Sequence, residues 1–453
     1  MKVFFAVLIG KLIRLACRIL HRGGTAKPGE IALKICPDLL SHLGKGVNSI
    51  VITGTNGKTT SCRIVEEGIK DAGYTYFANR SGANLIEGIA TDFIVNSTLS
   101  GKCTKKYAVL ETDEYASKEV CRFLQPKVIY VTNIFVDQVD RFGGVKNTRD
   151  GIATGIKNAP GAVVVLNADD AVSASLAEGI PNKVVSYGIS ENAVKSMKSG
   201  GTSDVNECTL CGGELTFDYR TFSHLGGFRC KKCGFSRKAA DVEVSSILSS
   251  DISSSRIEFT HGNDMLTADI NLPAMYNIYN AIGSYLALHE CGVADDVILN
   301  ALSTFKCGFG RMEQLNIGKC GGKMVLVKNG AGCDQVLEFL SRLDEEFNLS
   351  IYLNNNISDG VDISWLDSTN FELLNECKVG TIYVSGMRMD EMYERLVKAG
   401  LKDKLVKIKN CKELISTLNK SDKPVIIMPT YTGMMETRSE IIKQCGGSEF
   451  WQG

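Results

Sequence analysis

A length of 453 residues suggests about three domains and is more than a small binding module, and 44% hydrophobic with 23% charged side chains sets aside disordered and fibrous classes. Lys plus Arg and Asp plus Glu each number 51, so there is no global basic field to hold nucleic acid, and such a role needs a local patch. Sixteen cysteines spread along so long a chain suit a reducing cytoplasm better than a secreted disulfide scaffold.

Residues 3–20 are strongly apolar, but Lys11, Arg14 and Arg18 interrupt them at helical spacing. That predicts an amphipathic helix rather than a span of about 20 uninterrupted apolar residues. Docking on the protein's own core is the favoured reading, with lipid-surface contact the alternative. Gly23, Gly24, Pro28, Gly29 and Pro37 read as the punctuation of a connecting segment over 21–46, giving an N-terminal region of residues 1–42. Residues 49–53 predict a short buried strand, followed by a Gly-containing turn and a helix over about 59–72. Strand-type runs recur at 107–110, 128–132 and 163–166, an alternation that predicts an α/β, doubly wound domain with a mostly parallel sheet. A linker is expected over 198–206, then a Cys- and Gly-rich insert at about 205–238, short strands within 242–272 and a helix over 277–291. The Gly-rich stretch 307–311 introduces a second α/β series with strands at 324–327, 350–353, 381–384 and 425–428. The expected division is a central domain over 43–306 and a C-terminal α/β domain over 307–453.

Gly54-Thr55-Asn56-Gly57-Lys58-Thr59-Thr60 falls between a predicted strand and a predicted helix. Such a turn aims backbone N–H groups and a helix N-terminus at an anion, while Lys58 adds a mobile positive charge and Thr59 a hydroxyl for Mg²⁺. The general phosphate-loop pattern places its first Gly where this chain has Ile52. Glu111, at the end of the strand 107–110, is placed as a second Mg²⁺ ligand at the carboxyl edge of a parallel sheet.

With this loop, Thr132-Asn133-Ile134 running on to Asp137-Gln138-Val139-Asp140-Arg141, Asn277-Ile278-Tyr279-Asn280-Ala281 and Gly310-Arg311-Met312-Glu313 resemble, in order, the motifs of the Mur ligases. Those enzymes use ATP to activate a carboxylate as an acyl phosphate before an amine attacks it. The resemblance implies that Lys58 and Thr59 hold phosphates and Mg²⁺, Glu111 a metal, Asn277 and Asn280 the nucleotide, and Arg311 the phosphate side. Gln138 departs from the pattern, since amide-forming Mur ligases generally carry His there and Gln cannot titrate.

Cys208-x2-Cys211 and Cys230-x2-Cys233, with 18 residues between the pairs, have zinc-ribbon spacing. Four thiolates close a tetrahedral shell, so the Zn²⁺ is expected to be structural. Arg229, Lys231, Lys232, Arg237 and Lys238 make the insert basic, while Phe217, Tyr219, Phe222, Phe228 and Phe235 are expected to cover the metal core. No nucleic-acid partner is expected, although an ATPase binding nucleic acid through the ribbon stays open as an alternative.

A Mur-like core with a four-Cys insert resembles the MurT family, the ligase subunits of lipid II isoglutaminyl synthases. The segment from Asn354 through Asp359, Gly360 and Asp362 to Trp365 is similar to that family's C-terminal domain. The resemblance implies amidation of the α-carboxylate of D-isoglutamate in lipid II, using ammonia from a GatD-type glutamine amidotransferase partner. It also implies that an Asp completes the partner's triad by orienting its His, with Asp362 the first candidate and Asp359 the second. Expected cofactors are ATP, Mg²⁺ and structural Zn²⁺, in the cytoplasm, with the inner face of the plasma membrane the alternative. A Mur-type amino-acid ligase remains the competing enzyme reading. Cys333 is the nearest approach to a nucleophile of a self-contained amidotransferase, although a packing or turn role is expected there.

Overall fold

The computed structural model describes residues 1–20, 24–79, 83–135, 144–195, 205–251, 253–305 and 311–446. Two units emerge: one formed by Met1–Ser249, Ser255–Asn271 and Tyr276–Phe305, the other by Lys306–Gly453 with the short pieces Ser250–Ser254 and Leu272–Met275.

The first unit is built on nine strands because its β-branched runs have no polar face to offer water. Ile50, Val51 and Ile52 in β1 (Asn48–Thr53) are wholly buried, as a strand covered on both sides requires. It is followed by β2 (Tyr76–Ala78), β3 (Tyr107–Glu111), β4 (Val128–Val131), β5 (Val163–Asn167) and β6 (Val184–Ile189). A separate hairpin, β7 (Leu215–Phe222) and β8 (Leu225–Cys230), precedes β9 (Val242–Ser250), β10 (Ser255–His261) and β11 (Asp264–Ile270). The sheet order is β11-β10-β9-β6-β5-β4-β1-β3-β2. Pairing is parallel from β2 to β9, and the β10–β11 edge is antiparallel. Strand β1 lies between β3 and β4, so the chain winds outward on one side of it and then on the other. The crevice at the carboxyl ends of these strands is where doubly wound sheets bind ligands.

The N-terminal region differs from the connecting segment its Gly and Pro content suggests. Helix α1 (Lys2–Ile19) is followed by α2 (Lys27–Ile35) and α3 (Leu39–Leu43), and Leu39, Leu40 and Leu43 are fully buried. Pro28 lies in the first turn of α2, where its missing N–H leaves nothing unpaired. Gly29 is a contact glycine: its N–H donates to Thr91 Oγ1 at 2.9 Å on a neighbouring helix. A Cβ there would lie 1.9 Å from the Glu87 carbonyl oxygen.

The second unit has β12 (Arg311–Leu315), β13 (Gly322–Val325), β14 (Phe347–Tyr352), β15 (Val379–Ser385), β16 (Leu405–Lys407) and β17 (Val425–Pro429). Their order is β12-β13-β17-β14-β15-β16, parallel except for β12 against β13. The four strands expected here are β13, β14, β15 and β17, and β12 and β16 are added at the edges. Met324, Val425, Ile427, Leu414 and Leu418 lie in a core of this unit.

Candidate functional site

Three strand ends meet at the Gly54–Thr60 loop. Gly54 (φ 121°) and Gly57 (φ 85°) use backbone that L side chains rarely adopt. A Cβ on Gly54 would lie 2.5 Å from Thr132 Oγ1, and one on Gly57 2.1 Å from Asn280 Oδ1. From the end of β4, Thr132 Oγ1 donates to the Asn56 carbonyl at 2.7 Å. Asn133 accepts from the Asn56 N–H at 2.9 Å and donates to its carbonyl at 3.1 Å. The Thr55 N–H donates to the Asn133 carbonyl at 2.8 Å. Helix α4 (Lys58–Asp71) then begins with Gly57 as its N-cap and no capping side chain, so its first-turn amides are left for an anion. Thr59 and Thr60 stand in that turn, Thr60 buried.

Lys58 Nζ donates to Glu114 Oε1 at 2.9 Å and to the Thr55 carbonyl at 3.2 Å, and also bonds the Gly54 carbonyl. The Lys58 and Glu114 side chains are 15% and 10% exposed. Glu111 ends β3 opposite Ile52 of β1. Its backbone N–H donates to Asn79 Oδ1 at 2.8 Å and its carbonyl accepts from Asn79 Nδ2 at 2.6 Å. Burial first, then the carboxylates of Glu111 and Glu66, push the Cys62 thiol of α4 well above its ordinary value.

Asn277 and Asn280, 2% and 4% exposed, open the helix Met275–Glu290 and bond to each other at 3.2 Å. The contact of Asn280 with Gly57 brings this motif onto the phosphate loop. Asp137, Gln138, Asp140 and Arg141 lie outside the described residues, as do Gly310 and the Arg311 side chain.

Sequence reasoning missed Glu114 and the pair Asp169-Asp170, although two successive acids at the carboxyl end of β5 are a readable signal. Asp170 accepts from the Ile134 N–H at 2.7 Å and the Val172 N–H at 2.9 Å, and His224 Nε2 lies 3.4 Å from Asp170 Oδ1 with both side chains fully buried. Asp169 accepts from Tyr279 Oη at 2.5 Å, Arg237 Nε at 2.7 Å and the Ile189 N–H at 2.8 Å. Burial raises the Asp169 carboxyl and the Arg237 guanidinium opposes it.

The four cysteines come together as their spacing requires, with Cys208 and Cys233 sulfurs 3.8 Å apart, Cys211 and Cys230 sulfurs 3.5 Å apart, and all four within 4.8 Å of one another. Zinc–sulfur bonds of about 2.3 Å in a tetrahedron put sulfurs about 3.8 Å apart, so the donor set fits Zn²⁺. Gly212 (φ 68°) and Gly234 (φ 75°) turn the two knuckles. The Cys233 backbone amide brings the Cys230 thiol down to about 6. The aromatic residues divide between two tasks rather than all covering the metal. Phe228 and Phe235 pack together at 5.2 Å in the ribbon. Phe222 stacks on Phe135 at 6.0 Å, and Tyr219 Oη donates to the Ile189 carbonyl at 2.8 Å, fastening the hairpin to the main sheet. Cys208, Leu215, Phe228 and Cys230 belong to one hydrophobic core with Val51 and Leu110. Three of the five basic residues are paired with acids: Arg237 with Asp169 and Glu243, Lys231 with Glu214 and Lys238 with Glu178.

In the second unit, Asp359 and Asp362 have different surroundings. Asp359 is buried and accepts from the Thr432 N–H and Thr432 Oγ1, each at 2.6 Å, and from the Asn356 N–H at 3.0 Å. Asp362 is exposed; the Ser364 N–H, donating at 2.8 Å, and then its hydroxyl hold the carboxyl below its ordinary value. Cys333 is buried in the helix Gly330–Ser341, and burial pushes its thiol well above the ordinary value, which does not suit a nucleophile.

The chain is 32% identical over 445 residues to the lipid II isoglutaminyl synthase (glutamine-hydrolyzing) subunit MurT of Streptococcus pneumoniae, covering 97% of this chain and 96% of that protein. The chain belongs to the MurT family. The MurT subunit of Staphylococcus aureus is 33% identical over 397 residues, covering 87% of this chain and 88% of that protein. The family model for the Mur ligase middle domain matches residues 52–224, and that for the MurT ligase C-terminal region matches 326–434. The MurT C-terminal match contains Asp359 and Asp362, and the middle-domain match contains the phosphate loop, Glu111 and Asp169-Asp170. A solved pseudomurein peptide ligase type C from Methanothermus fervidus shares the fold, with a TM-score of 0.67 at 20% identity over 88% of this chain and 79% of that one.

Proposed function

We propose that this chain is the ligase subunit of a lipid II isoglutaminyl synthase, amidating the α-carboxylate of D-isoglutamate in lipid II to D-isoglutamine for peptidoglycan synthesis. The observation that carries this reading is the near full-length likeness to MurT subunits, which spans both the phosphate loop and the Asp359–Asp362 segment. MgATP, when bound, supplies the phosphoryl group that makes the carboxylate an acyl phosphate open to ammonia. The uncapped start of α4 and the cradle closed by Gly54 and Gly57 suit a triphosphate. Lys58 exchanges the Glu114 carboxylate for phosphate oxygens, Thr59 and Glu111 hold Mg²⁺, and Asn277 and Asn280 position the nucleotide. Such a site works by placement and charge neutralisation. Unprotonated ammonia needs no base, which accommodates Gln138 where related amide-forming ligases carry His.

A glutaminase subunit of the GatD type supplies the ammonia. Asp362 is the exposed carboxylate that orients that partner's His, whereas Asp359 is buried with its oxygens serving Thr432 and Asn356. Ile357 and Val361, 93% and 64% exposed, flank it and give the partner an apolar footing. Zn²⁺ in the four-Cys shell is structural.

The test is a substrate panel on the purified chain with MgATP and lipid II. Ammonium salts should yield the amidated product, glutamine should not, and glutamine should become a nitrogen source when the glutaminase is added. Ligation of an amino acid in place of ammonia, or use of glutamine by the chain alone, refutes the proposal.

A further inference from the structure

Helix α1 turns its larger apolar side chains outward. Its inward side is small, with Ala6, Val7 and Gly10 buried. A Cβ on Gly10 would lie 2.9 Å from Ile94 Cδ1, so α1 packs closely against α5 (Ile86–Val95). The opposite side presents Phe4 (42% exposed), Phe5 (51%), Leu12 (55%), Leu15 (55%) and Ile19 (68%). Phe5, Leu12, Leu15 and Ile19, spaced by seven, three and four, lie on one stripe along the helix, with Phe4 at its edge. Val95 at the end of α5 and Leu99 beyond it are 40% and 42% exposed. Lys11 Nζ donates to the Val95 carbonyl at 3.3 Å, and Val3 stands 2.7 Å from where a Cβ on Gly101 would be.

Scattered exposed apolar residues need no explanation, but a continuous stripe of this size marks an interaction surface. The charge around it identifies the occupant. Residues 1–20 contain no Asp or Glu, and Lys2, Arg18 and Lys102 are exposed around the stripe. An apolar face with cationic flanks is complementary to an anionic bilayer, where the stripe enters the headgroup–acyl boundary and the cations meet phosphates. Among the described residues no helix is long and apolar enough to cross a membrane.

We propose that α1 is a lipid-surface docking helix, its Phe4–Ile19 stripe seated in an anionic bilayer with Lys2 and Arg18 at the headgroups. The inference rests on the amidation reading only for its purpose, which is to hold the ligase at the surface where lipid II is presented.

The test is sedimentation of the full chain with vesicles of phosphatidylcholine alone or mixed with phosphatidylglycerol. The chain should bind the anionic vesicles, less so at high salt, and should stay in solution with phosphatidylcholine. The variant Phe5→Ser/Leu12→Ser/Leu15→Ser/Ile19→Ser, which touches only outward positions, should bind about tenfold more weakly or worse. Lys2→Glu/Arg18→Glu should weaken binding in the same direction. Melting temperature and zinc content should match the parent in both variants. Failure of the chain to bind either vesicle, equal binding by the serine variant, or loss by that variant of glutaminase binding or self-association with vesicle binding intact, overturns the proposal. Ammonium-driven amidation of a soluble muropeptide, followed in parallel, should survive in the serine variant. Its absence from the parent as well would count against the amidation reading and leave the vesicle result standing.

Discussion

The Lys58 ammonium and the Glu114 carboxylate, 56 positions apart in the chain, lie 2.9 Å from each other at the carboxyl edge of the sheet. The pair holds Lys58 folded against its own loop, and on the proposed reading nucleotide binding exchanges one anion for another. Lys58→Ala should lower ATP turnover by about 100-fold or more. Glu114→Gln removes the competing charge and should tighten ATP binding several-fold. Titration calorimetry with MgATP reads both, and weaker binding by Glu114→Gln would show that this carboxylate assists the nucleotide instead.

The four-Cys ribbon shares the core of the first unit, so its metal should matter beyond the insert. Elemental analysis should find one zinc per chain. Cys211→Ser should lose it and lower the melting temperature by roughly 5 °C or more. Cys320→Ser, at an exposed thiol outside the cluster, should keep the metal. Full stability in the zinc-free protein would contradict the shared core.

Asp359 and Asp362 should separate cleanly. Asp359→Ala removes an acceptor of three hydrogen bonds and should cost about 2–4 kcal/mol in chemical unfolding. Asp362→Ala should leave the melting temperature unchanged and spare ammonium-driven amidation. Glutamine-driven amidation by the complex should fall about 100-fold, as when the carboxylate orienting a catalytic His is lost. If it does not, Asp362 is not the residue that reaches the partner's His.

Burial on α5 raises Asp92 from 3.8 to about 7, against the pull of Arg14 on α1. The folded chain therefore keeps this proton to higher pH than the unfolded chain. Its stabilising contribution is full below about pH 4, falls as pH rises, and is gone above about pH 7. Asp92→Asn should flatten the dependence of unfolding free energy on pH across that window. An unchanged slope would place the pH response elsewhere.

Local chemistry made much of this protein legible from its residues. Ile50 to Ile52 leading into Gly54-Thr55-Asn56-Gly57-Lys58 signals a strand, a phosphate loop and a helix within a few positions, because backbone freedom and charge at that spacing are local properties. Two Cys-x2-Cys knuckles likewise bring their own geometry. The features missed depend on surroundings. Gly29 reads as a loop residue until Glu87 and Thr91 stand against it, and Phe222 reads as ribbon cover until Phe135 stacks on it.

The sequence by itself determined the doubly wound architecture and the four-Cys cluster, whose signals are residue types at short spacing, and motifs in order along the chain pointed to the family. Only the tertiary structure decided that Glu114 restrains Lys58, that Asp169 and Asp170 join the ribbon hairpin to the Asn277 helix and the β4 strand end, and that α1 faces its phenylalanines outward. Burial and long-range pairing belong to no single segment, because they exist only once distant parts of the chain have excluded water from one another.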